Sequence, residues 1–245
     1  MREDAKDFME VARFELSGAD HDGILNMDQT LLPFSYHPNT TLDSKGVREV
    51  ITKCSTNDTK RATLAASVTG SGKLLPPFLI FKGVNNGRIA QKEIPSYPEG
   101  CHYACQKKAW MDEDMMYIWI ELVLIPWVQS RPACRILYLV LDSYRVHMMP
   151  AVCAKIRSLG IKIIHIPGGC TWLCLPVDIG VNRPIKQAMT EQWDAWMIDQ
   201  GIDVETPTRE LVAKWVVGTY SRLDDEGEAR QKLANSWMKE GFEWF

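Results

Sequence analysis

The sequence has no excess of basic residues and no long uninterrupted apolar run. With 28 Lys and Arg against 31 Asp and Glu, its formal net charge is −3, unlike the basic footprint of a free-standing nucleic-acid-binding domain. The longest apolar segment, residues 115–128, is interrupted by Glu121 and Pro126 and is too short to cross a bilayer. We therefore expect no membrane association, and any affinity for DNA should be local or supplied elsewhere.

Signals for secretion and for a disulfide framework are also missing. The N-terminal residues MREDAKDFMEVARF are charged and amphipathic, without the apolar core of a signal peptide. The 7 cysteines are odd in number, so reduced thiols in an intracellular compartment are the simplest interpretation. Two groups, Cys101-His102-Cys105 and Cys170-Cys174, have spacings that zinc permits. These spacings are less specific than paired CxxC motifs, and ordinary thiols are the favoured alternative.

A complete phosphate-binding loop is absent, although Gly70-Ser71-Gly72-Lys73 contains part of the pattern. The motif requires a glycine five residues before Gly72 and a serine or threonine after the lysine, but Ser67 and Leu74 occupy these positions. We therefore predict a hairpin turn at 70–73, between a strand at 62–69 and a strand at 74–81.

The sequence does contain short apolar segments with the lengths of β-strands. The clearest runs from Ile136 to Leu141 and ends on Asp142; a continuous apolar run of this length is typical of a strand buried on both faces. Residues 82–109 are expected to form a loop, and a helix is expected to begin at Met111-Asp112-Glu113-Asp114 and to end near Pro126. Taken with the other segments, the order is three strands, helix, strand, helix, strand, helix. This order predicts an antiparallel meander followed by parallel strands added through helical crossovers, as in an RNase H-like domain.

Three aspartates lie where this order of elements can form a site. Asp28 is expected to end the first strand, Asp142 ends the fourth, and Asp178 begins a helix after the fifth. The first and fourth strands would be neighbours, so their carboxylates would repel each other and have raised pKa values unless a cation intervened. Mg²⁺ is usually held by a few carboxylates plus water, and two such ions about 4 Å apart can promote phosphodiester cleavage. The alternative is three unrelated surface or turn aspartates.

Several motifs in this order carry a resemblance to a known family. They are NMDQT at 26–30, GSGKLLPPFLIFKG at 70–83, LVLDSYRVH at 139–147, PVDIGVNRPIK at 176–186 and the C-terminal NSWMKEGFEWF. They resemble the DDE superfamily endonuclease domain of pogo/Tigger-type transposases, a mariner-like branch related to centromere protein B and the jerky proteins. The likeness covers roughly residues 20–245, and it departs from the family at Leu175, where Gln is common.

The resemblance implies an α/β, RNase H-like fold in which a mixed five-stranded sheet is flanked by helices. We expect an N-terminal helical remnant or linker at 1–19, the catalytic domain at 20–200 and a helical C-terminal extension at 201–245. The implied catalytic and metal-binding residues are Asp28, Asp142 and Asp178, with two Mg²⁺ or Mn²⁺ ions and no small-molecule cofactor. DNA is the implied partner, with a homodimer and a nuclear location as further expectations.

The implied activity is divalent-metal-dependent cleavage and transfer of DNA strands. The alternative is a catalytically inactive, domesticated or remnant domain that binds DNA or protein. The intact set of aspartates argues against this alternative, whereas the acidic net charge and the absence of a helix-turn-helix module before the domain argue for it. The candidate DNA-phosphate contacts that flank the site are Arg145, His147, Arg183 and Lys186. For the three cations the alternative is ordinary solvated charge. His147 could instead orient water or the Asp142 loop, or be a satisfied structural histidine.

Overall fold

A six-stranded mixed sheet lies at the centre of the computed structural model, which describes residues 3–34, 60–132, 135–170, 175–200, 206–225 and 227–239. The strand order across the sheet is β4-β3-β2-β1-β5-β6. Pairing is antiparallel between β1 and β2 and between β2 and β3, and it is parallel elsewhere. The strands are β1 (Ile24–Pro33), β2 (Arg61–Thr69), β3 (Phe78–Lys82), β4 (His102–Gln106), β5 (Leu137–Asp142) and β6 (Ile161–Ile166).

The predicted meander followed by parallel additions is confirmed, but the predicted number of five strands is wrong. The sixth strand, β4, lies within a segment that was expected to be a loop, and it extends the sheet beyond β3 in the parallel direction. Its five residues, HYACQ, include only two buried side chains, Ala104 and Cys105. A strand this short at the edge of a sheet has no apolar run and no regular alternation to reveal it.

Helices cover both faces of this sheet. Their bounds are α1 (Glu3–Leu16), α2 (Glu113–Trp119), α3 (Ile125–Gln129), α4 (Pro150–Ser158), α5 (Arg183–Gln200), α6 (Arg209–Asp225) and α7 (Gly227–Lys239). Shorter 3₁₀ or π-helical segments occur at His21–Gly23, Ile89–Glu93, Ile94–Ser96, Ile120–Leu124 and Val177–Asn182. Within these described ranges, no helix is both long enough and apolar enough to pass through a bilayer.

The helix after β4 begins as its sequence predicts but ends later. Asp112 caps α2 by accepting a hydrogen bond from the Met115 amide at 3.1 Å, with Glu113 and Asp114 in the first turn. The expected end near Pro126 is wrong, because the helical path continues through a π-helical segment into α3. Pro126 then falls in the first turn of α3, where a missing amide hydrogen costs little.

Alternate residues of β5 contribute to two apolar cores, one on each face of the sheet. Leu137, Leu139 and Leu141 face a core shared with α2, the helical segments after it and α4. Tyr138 and Val140 face the other core, which is formed with α1, α5, α6 and α7. The apolar run that defined this strand in the sequence is therefore buried on both sides, as predicted.

The hairpin turn after β2 supports the last helix, α7. The Thr69 amide donates to the Lys73 carbonyl and the Gly72 amide to the Thr69 carbonyl, both at 2.9 Å, so Gly70–Lys73 is a turn as predicted. Gly72 has a φ of +80°, and a Cβ atom on it would overlap the Arg230 backbone of α7. Trp237 of the same helix is fully buried and donates its indole N–H to the Thr69 carbonyl at 3.0 Å.

Replacing Gly72 should loosen the contact between the hairpin turn and α7. We expect Gly72→Ala to lower the free energy of unfolding by about 1–3 kcal/mol, because alanine disfavours a positive φ and its Cβ has no room. Urea unfolding followed by circular dichroism measures this change. Gly218→Ala is the matched control: a Cβ atom at position 218 would have no neighbour within 4 Å, so alanine there should stabilise α6 by up to about 1 kcal/mol. Equal effects of the two substitutions would contradict the assignment.

Candidate active site

Asp28 and Asp142 lie at the same level on adjacent strands. The parallel ladder between β1 and β5 runs from the pair Ile24 and Tyr138 to the pair Asn26 and Val140. The two aspartates each come two residues later, so they project toward the same face, the side of the sheet that packs against α5. The structure therefore brings these two predicted residues together.

The expectation that Asp28 ends the first strand is wrong. Strand β1 continues to Pro33, and Asp28 pairs with Ala66 of β2 in the antiparallel ladder. Only the pairing with β5 stops before Asp28: its last pair is Asn26 with Val140, although β5 itself continues to Asp142. At the level of the two carboxylates, the side of β1 that faces β5 is therefore unpaired, whereas the side that faces β2 stays hydrogen bonded. The pairing with β2 holds Asp28 on a rigid strand.

A buried asparagine two residues before Asp28 joins the strands to the third acidic segment. The Asn26 side chain is fully buried; it donates to the Val140 carbonyl at 2.9 Å and accepts from the Val177 amide at 2.9 Å. Val177 begins the π-helical turn that carries Asp178. A single side chain therefore connects β1, β5 and the start of the segment that bears the third aspartate.

Asp178 and Asp28 accept hydrogen bonds from the same donor. The side-chain nitrogen of Asn182, one turn after Asp178, donates to Asp28 Oδ2 at 3.1 Å and to Asp178 Oδ1 at 3.4 Å. Asp178 itself is exposed, whereas Asn182 is only 1% exposed. The side-chain amide of Asn182 therefore links Asp178 to Asp28, which lies beside Asp142 on the adjacent strand; a shared catalytic role of the three aspartates stays a prediction.

Helix α7 fixes the turn that carries Asp178. A Cβ atom on Gly180 would overlap the Ser236 side chain of α7, so only glycine allows the two segments to approach this closely. Ser236 is buried and donates its hydroxyl to the Leu233 carbonyl at 2.6 Å within the same helix. The position of Asp178 therefore depends on the last described helix of the chain.

His147 holds Asp142 in place rather than facing solvent. Its imidazole ring is fully buried, with Nδ1 at 2.6 Å from Asp142 Oδ1 and Nε2 at 2.9 Å from the Gln29 side-chain nitrogen. The tautomer with hydrogen on Nδ1 satisfies both contacts, since it donates to the carboxylate and accepts from the Gln29 amide. Of the alternatives considered for His147, its burial favours orientation of the Asp142 loop, and phosphate contact stays a prediction.

The two strand aspartates have pKa shifts of opposite direction. Burial raises the pKa of Asp28 from its ordinary 3.8 to about 7, a hydrogen bond from the Gln29 backbone opposes this, and repulsion from Asp142 and Asp178 adds to it. Burial also acts to raise the pKa of Asp142, but the hydrogen bond and charge interaction with His147 outweigh it and bring the pKa below its ordinary value. Burial, more than repulsion from the other two carboxylates, therefore disfavours the ionised form of Asp28.

The donor set fits a divalent ion that prefers oxygen. Within the described ranges, no three His, Cys, Asp or Glu side chains form a ready-made metal cluster. Even so, the acidic positions supply hard carboxylate oxygens of the kind that Mg²⁺ and Mn²⁺ prefer. The pKa of Asp28 is raised, so too little positive charge lies nearby to stabilise its ionised form. A bound cation would supply that charge.

Three predicted phosphate contacts are exposed next to this site. Arg145 follows Asp142 in the loop after β5, and Arg183 and Lys186 lie in the first turn of α5. Within the part of the chain that the structure describes, none of these side chains forms an ion pair. Their charges are therefore available to a polyanion, although phosphate contact stays a prediction.

The cysteines do not form a zinc site in the described ranges. Cys101, Cys105, Cys153 and Cys170 are free thiols there, and Cys174 lies outside these ranges. Burial raises the pKa of Cys101 to about 12, so this side chain stays a protonated thiol. Among the residues described, no group of zinc-ligand type converges on Cys101 and Cys105, and the second predicted pair includes a residue outside these ranges.

The mixed sheet, with aspartates on the adjacent strands β1 and β5, defines a nuclease-type domain of the RNase H-like class. The chain belongs to the DDE superfamily endonuclease family, whose model matches residues 58–221. It is similar to the pogo transposable element with KRAB domain of Mus musculus, at 24% identity over 209 residues, covering 82% of this chain and 33% of that protein. The Homo sapiens protein of the same name is 25% identical over 209 residues with the same coverage. The chain spans about a third of the length of these relatives.

Solved structures of the Mos1 mariner transposase have a similar fold. The Mos1 paired-end complex with Mn gives a TM-score of 0.61 at 14% identity, covering 100% of this chain and 64% of that chain. The Mos1 catalytic domain with raltegravir and Mn gives a TM-score of 0.57 at 14% identity, covering 99% of this chain and 95% of that chain. These likenesses confirm the predicted RNase H-like fold class and the resemblance to mariner-like transposases.

Sequence reasoning missed the polar residues that position the aspartates. Asn26 interrupts the apolar segment of β1, and a polar side chain at a buried strand position requires hydrogen-bond partners, which was an available signal. Asn182 lies one helical turn after Asp178, a spacing that places two side chains on the same face. Gln29 offers no such signal, because its contact with His147 depends on how the Asp142 loop folds.

Removing the charge at position 28 should change how stability depends on pH. The pKa of Asp28 in the folded domain, about 7, lies above its ordinary 3.8, so the folded state binds this proton more tightly and the free energy of unfolding falls as pH rises between those values. The stability of Asp28→Asn relative to the original chain should therefore increase across that window, by on the order of 4 kcal/mol in total. Urea unfolding in EDTA at several pH values measures the difference.

The exposed Asp194 in α5 provides the control for this measurement, since Asp194→Asn removes the same charge away from the site. Its unfolding free energy should follow that of the original chain at every pH. If Asp28→Asn also gave a profile parallel to the original chain, the unfavourable burial of the Asp28 charge would be refuted.

Proposed function

We propose that this chain is a divalent-metal-dependent DNA endonuclease domain that also transfers DNA strands, with Asp28, Asp142 and Asp178 as its catalytic and metal-binding residues. The observation that carries this proposal is the convergence of three aspartates from distant parts of the sequence. Two of them lie level on adjacent strands, and the third shares a donor with the first. Membership of the DDE superfamily endonuclease family supports the same reaction class.

The aspartates would hold two Mg²⁺ or Mn²⁺ ions, which supply an activated water or hydroxyl and stabilise the leaving oxygen of a phosphodiester. The chain's own residues orient this site. His147 fixes the Asp142 carboxylate by its hydrogen bond, and Asn26 and Asn182 hold the Asp178 turn against β1. Rigid placement matters because catalytic groups act only within small tolerances of position.

DNA would approach the carboxyl end of β5, where the exposed cations lie. Arg145, Arg183 and Lys186 would contact phosphates on either side of the scissile bond. Tyr144 and Met148 are 41% and 50% exposed in the loop after Asp142, so they would meet sugars or bases. Chromosomal DNA as substrate implies a nuclear location, and we expect a homodimer because strand transfer joins two DNA ends. The Mos1 structures include paired-end and strand transfer complexes of that protein.

A second candidate function is binding of DNA or protein without cleavage. Two observations favour it: the net charge of −3 supplies no general attraction to DNA, and the described residues contain no preassembled metal cluster. A domain of this kind would retain the fold and the hydrogen-bonded aspartates but would not take up the ions.

Cleavage of supercoiled plasmid in the presence of Mg²⁺ or Mn²⁺ distinguishes the two functions. We expect the purified chain to nick plasmid only with the metal, and Asp142→Ala to reduce the rate by about a thousandfold or more, because a metal ligand acting on the reacting groups is lost. Asp194→Ala, on the exposed face of α5, is the control and should retain full activity. Nicking that persists in Asp142→Ala would exclude the assigned site. Plasmid binding without nicking under all metal conditions would favour the second candidate.

A further inference from the structure

Asn182 occupies a buried position between two of the acidic residues. It ends the π-helical turn that begins at Val177, it lies four residues after Asp178, and it is 1% exposed. Its side-chain nitrogen is the only group described that donates to both Asp28 and Asp178. Asn182 is therefore part of the same cluster as the proposed metal ligands.

The orientation of the Asn182 amide follows from its neighbours. Both carboxylates accept hydrogen bonds, so the amide must direct its NH₂ group toward them; the reverse orientation would place oxygen against oxygen. In the described structure this leaves Asn182 Oδ1 buried without any hydrogen-bond partner. A buried acceptor without a donor is unfavourable and is rare enough in folded proteins to require a reason.

We propose that Asn182 is a fourth member of the metal site, with a different role in the absence and in the presence of the ion. Without metal, its NH₂ group bridges Asp28 and Asp178 and reduces the repulsion between them. With metal, the carboxylates turn to the cation and release the NH₂ group; the amide then rotates about its Cβ–Cγ bond, and its oxygen becomes a ligand to the ion or to a water bound to it. This inference rests on the metal use proposed above.

The chemistry of the amide suits this role better than that of other side chains of similar size. Carbonyl oxygen is a ligand type that Mg²⁺ and Mn²⁺ accept, and it adds no further negative charge to a site that already contains three carboxylates. Aspartate at this position would supply a stronger ligand but could not donate to the other carboxylates. Leucine would fill the space without either function.

Two substitutions at Asn182 distinguish its two roles, because they should change the affinity for Mn²⁺ in opposite directions. Asn182→Asp should lower the melting temperature in EDTA, because it adds a fourth carboxylate, and should tighten Mn²⁺ binding, because it adds a charged oxygen ligand. Asn182→Ala should lower the melting temperature in EDTA and also weaken Mn²⁺ binding by about 10- to 100-fold, as expected for the loss of a group that ligates or orients at a metal site. Differential scanning fluorimetry and calorimetric titration of the full chain with Mn²⁺ measure the two quantities.

Asn235→Ala provides the control, because it makes the same substitution at an exposed asparagine of α7 whose oxygen accepts from Gln231 at 3.0 Å. It should leave both the melting temperature and the Mn²⁺ affinity within error of the original chain. Circular dichroism of each variant shows whether the fold is retained. If Asn182→Ala does not fold, Asn182→Asp alone tests the role of Asn182 toward the metal. Only such a role makes a destabilised variant bind Mn²⁺ more tightly.

The possible outcomes separate this inference from the proposed function. If the original chain binds Mn²⁺ and Asp142→Ala does not, while both Asn182 variants lower the melting temperature and leave the affinity unchanged, then Asn182 is only a structural anchor and this inference is overturned alone. If the original chain binds no Mn²⁺, the proposed metal-dependent function fails and the inference fails with it. Opposite changes of Mn²⁺ affinity in Asn182→Asp and Asn182→Ala support both.

Discussion

The hydrogen bonds of one buried side chain, Asn26, join the three parts of the structure that carry the acidic residues. The amide reaches the Val140 carbonyl of β5 on one side and the Val177 amide on the other, both at 2.9 Å. The first contact lies at the last paired position of β1 and β5, and the second fixes the turn before α5. Without this link, the apolar cores would still hold the helices on the sheet, but the Asp178 turn would lose its alignment with Asp28.

The site collects negative charge and compensates for it mainly with hydrogen bonds from buried or partly buried side chains. His147 holds Asp142, Asn182 connects Asp28 to Asp178, and Gln29 supports His147 from β1. The cationic side chains nearby lie on the surface and do not neutralise Asp28, whose pKa is raised to about 7. Such an arrangement lowers the stability of the domain where Asp28 is ionised, a cost of the kind that functional sites commonly carry.

The sequence predicted the structure correctly where the local residue pattern and the tertiary contacts favour the same element. A continuous apolar run ending on Asp142 predicted a strand buried on both faces, and the order of elements predicted the neighbouring strand, because crossover rules leave few alternatives. The prediction of strands and helices failed where contacts between distant parts of the chain determine the structure. Strand β4 forms because β3 offers an open edge, β1 extends past Asp28 because β2 pairs with it, and a π-helical segment carries the chain through Pro126. The roles of Asn26 and Asn182 depend on partners 114 and 154 residues away.

The close approach of Gly180 and Ser236 has a consequence for the time at which the site is assembled. Translation proceeds from the N-terminus, so β1 and β5 leave the ribosome well before α7 exists. The turn bearing Asp178 has no complete support until residues 227–239 have been synthesised and have docked on it. In a nascent chain, Asp178 therefore takes up its position beside Asp28 only after α7 has docked, later than the strands that bear Asp28 and Asp142 can pair.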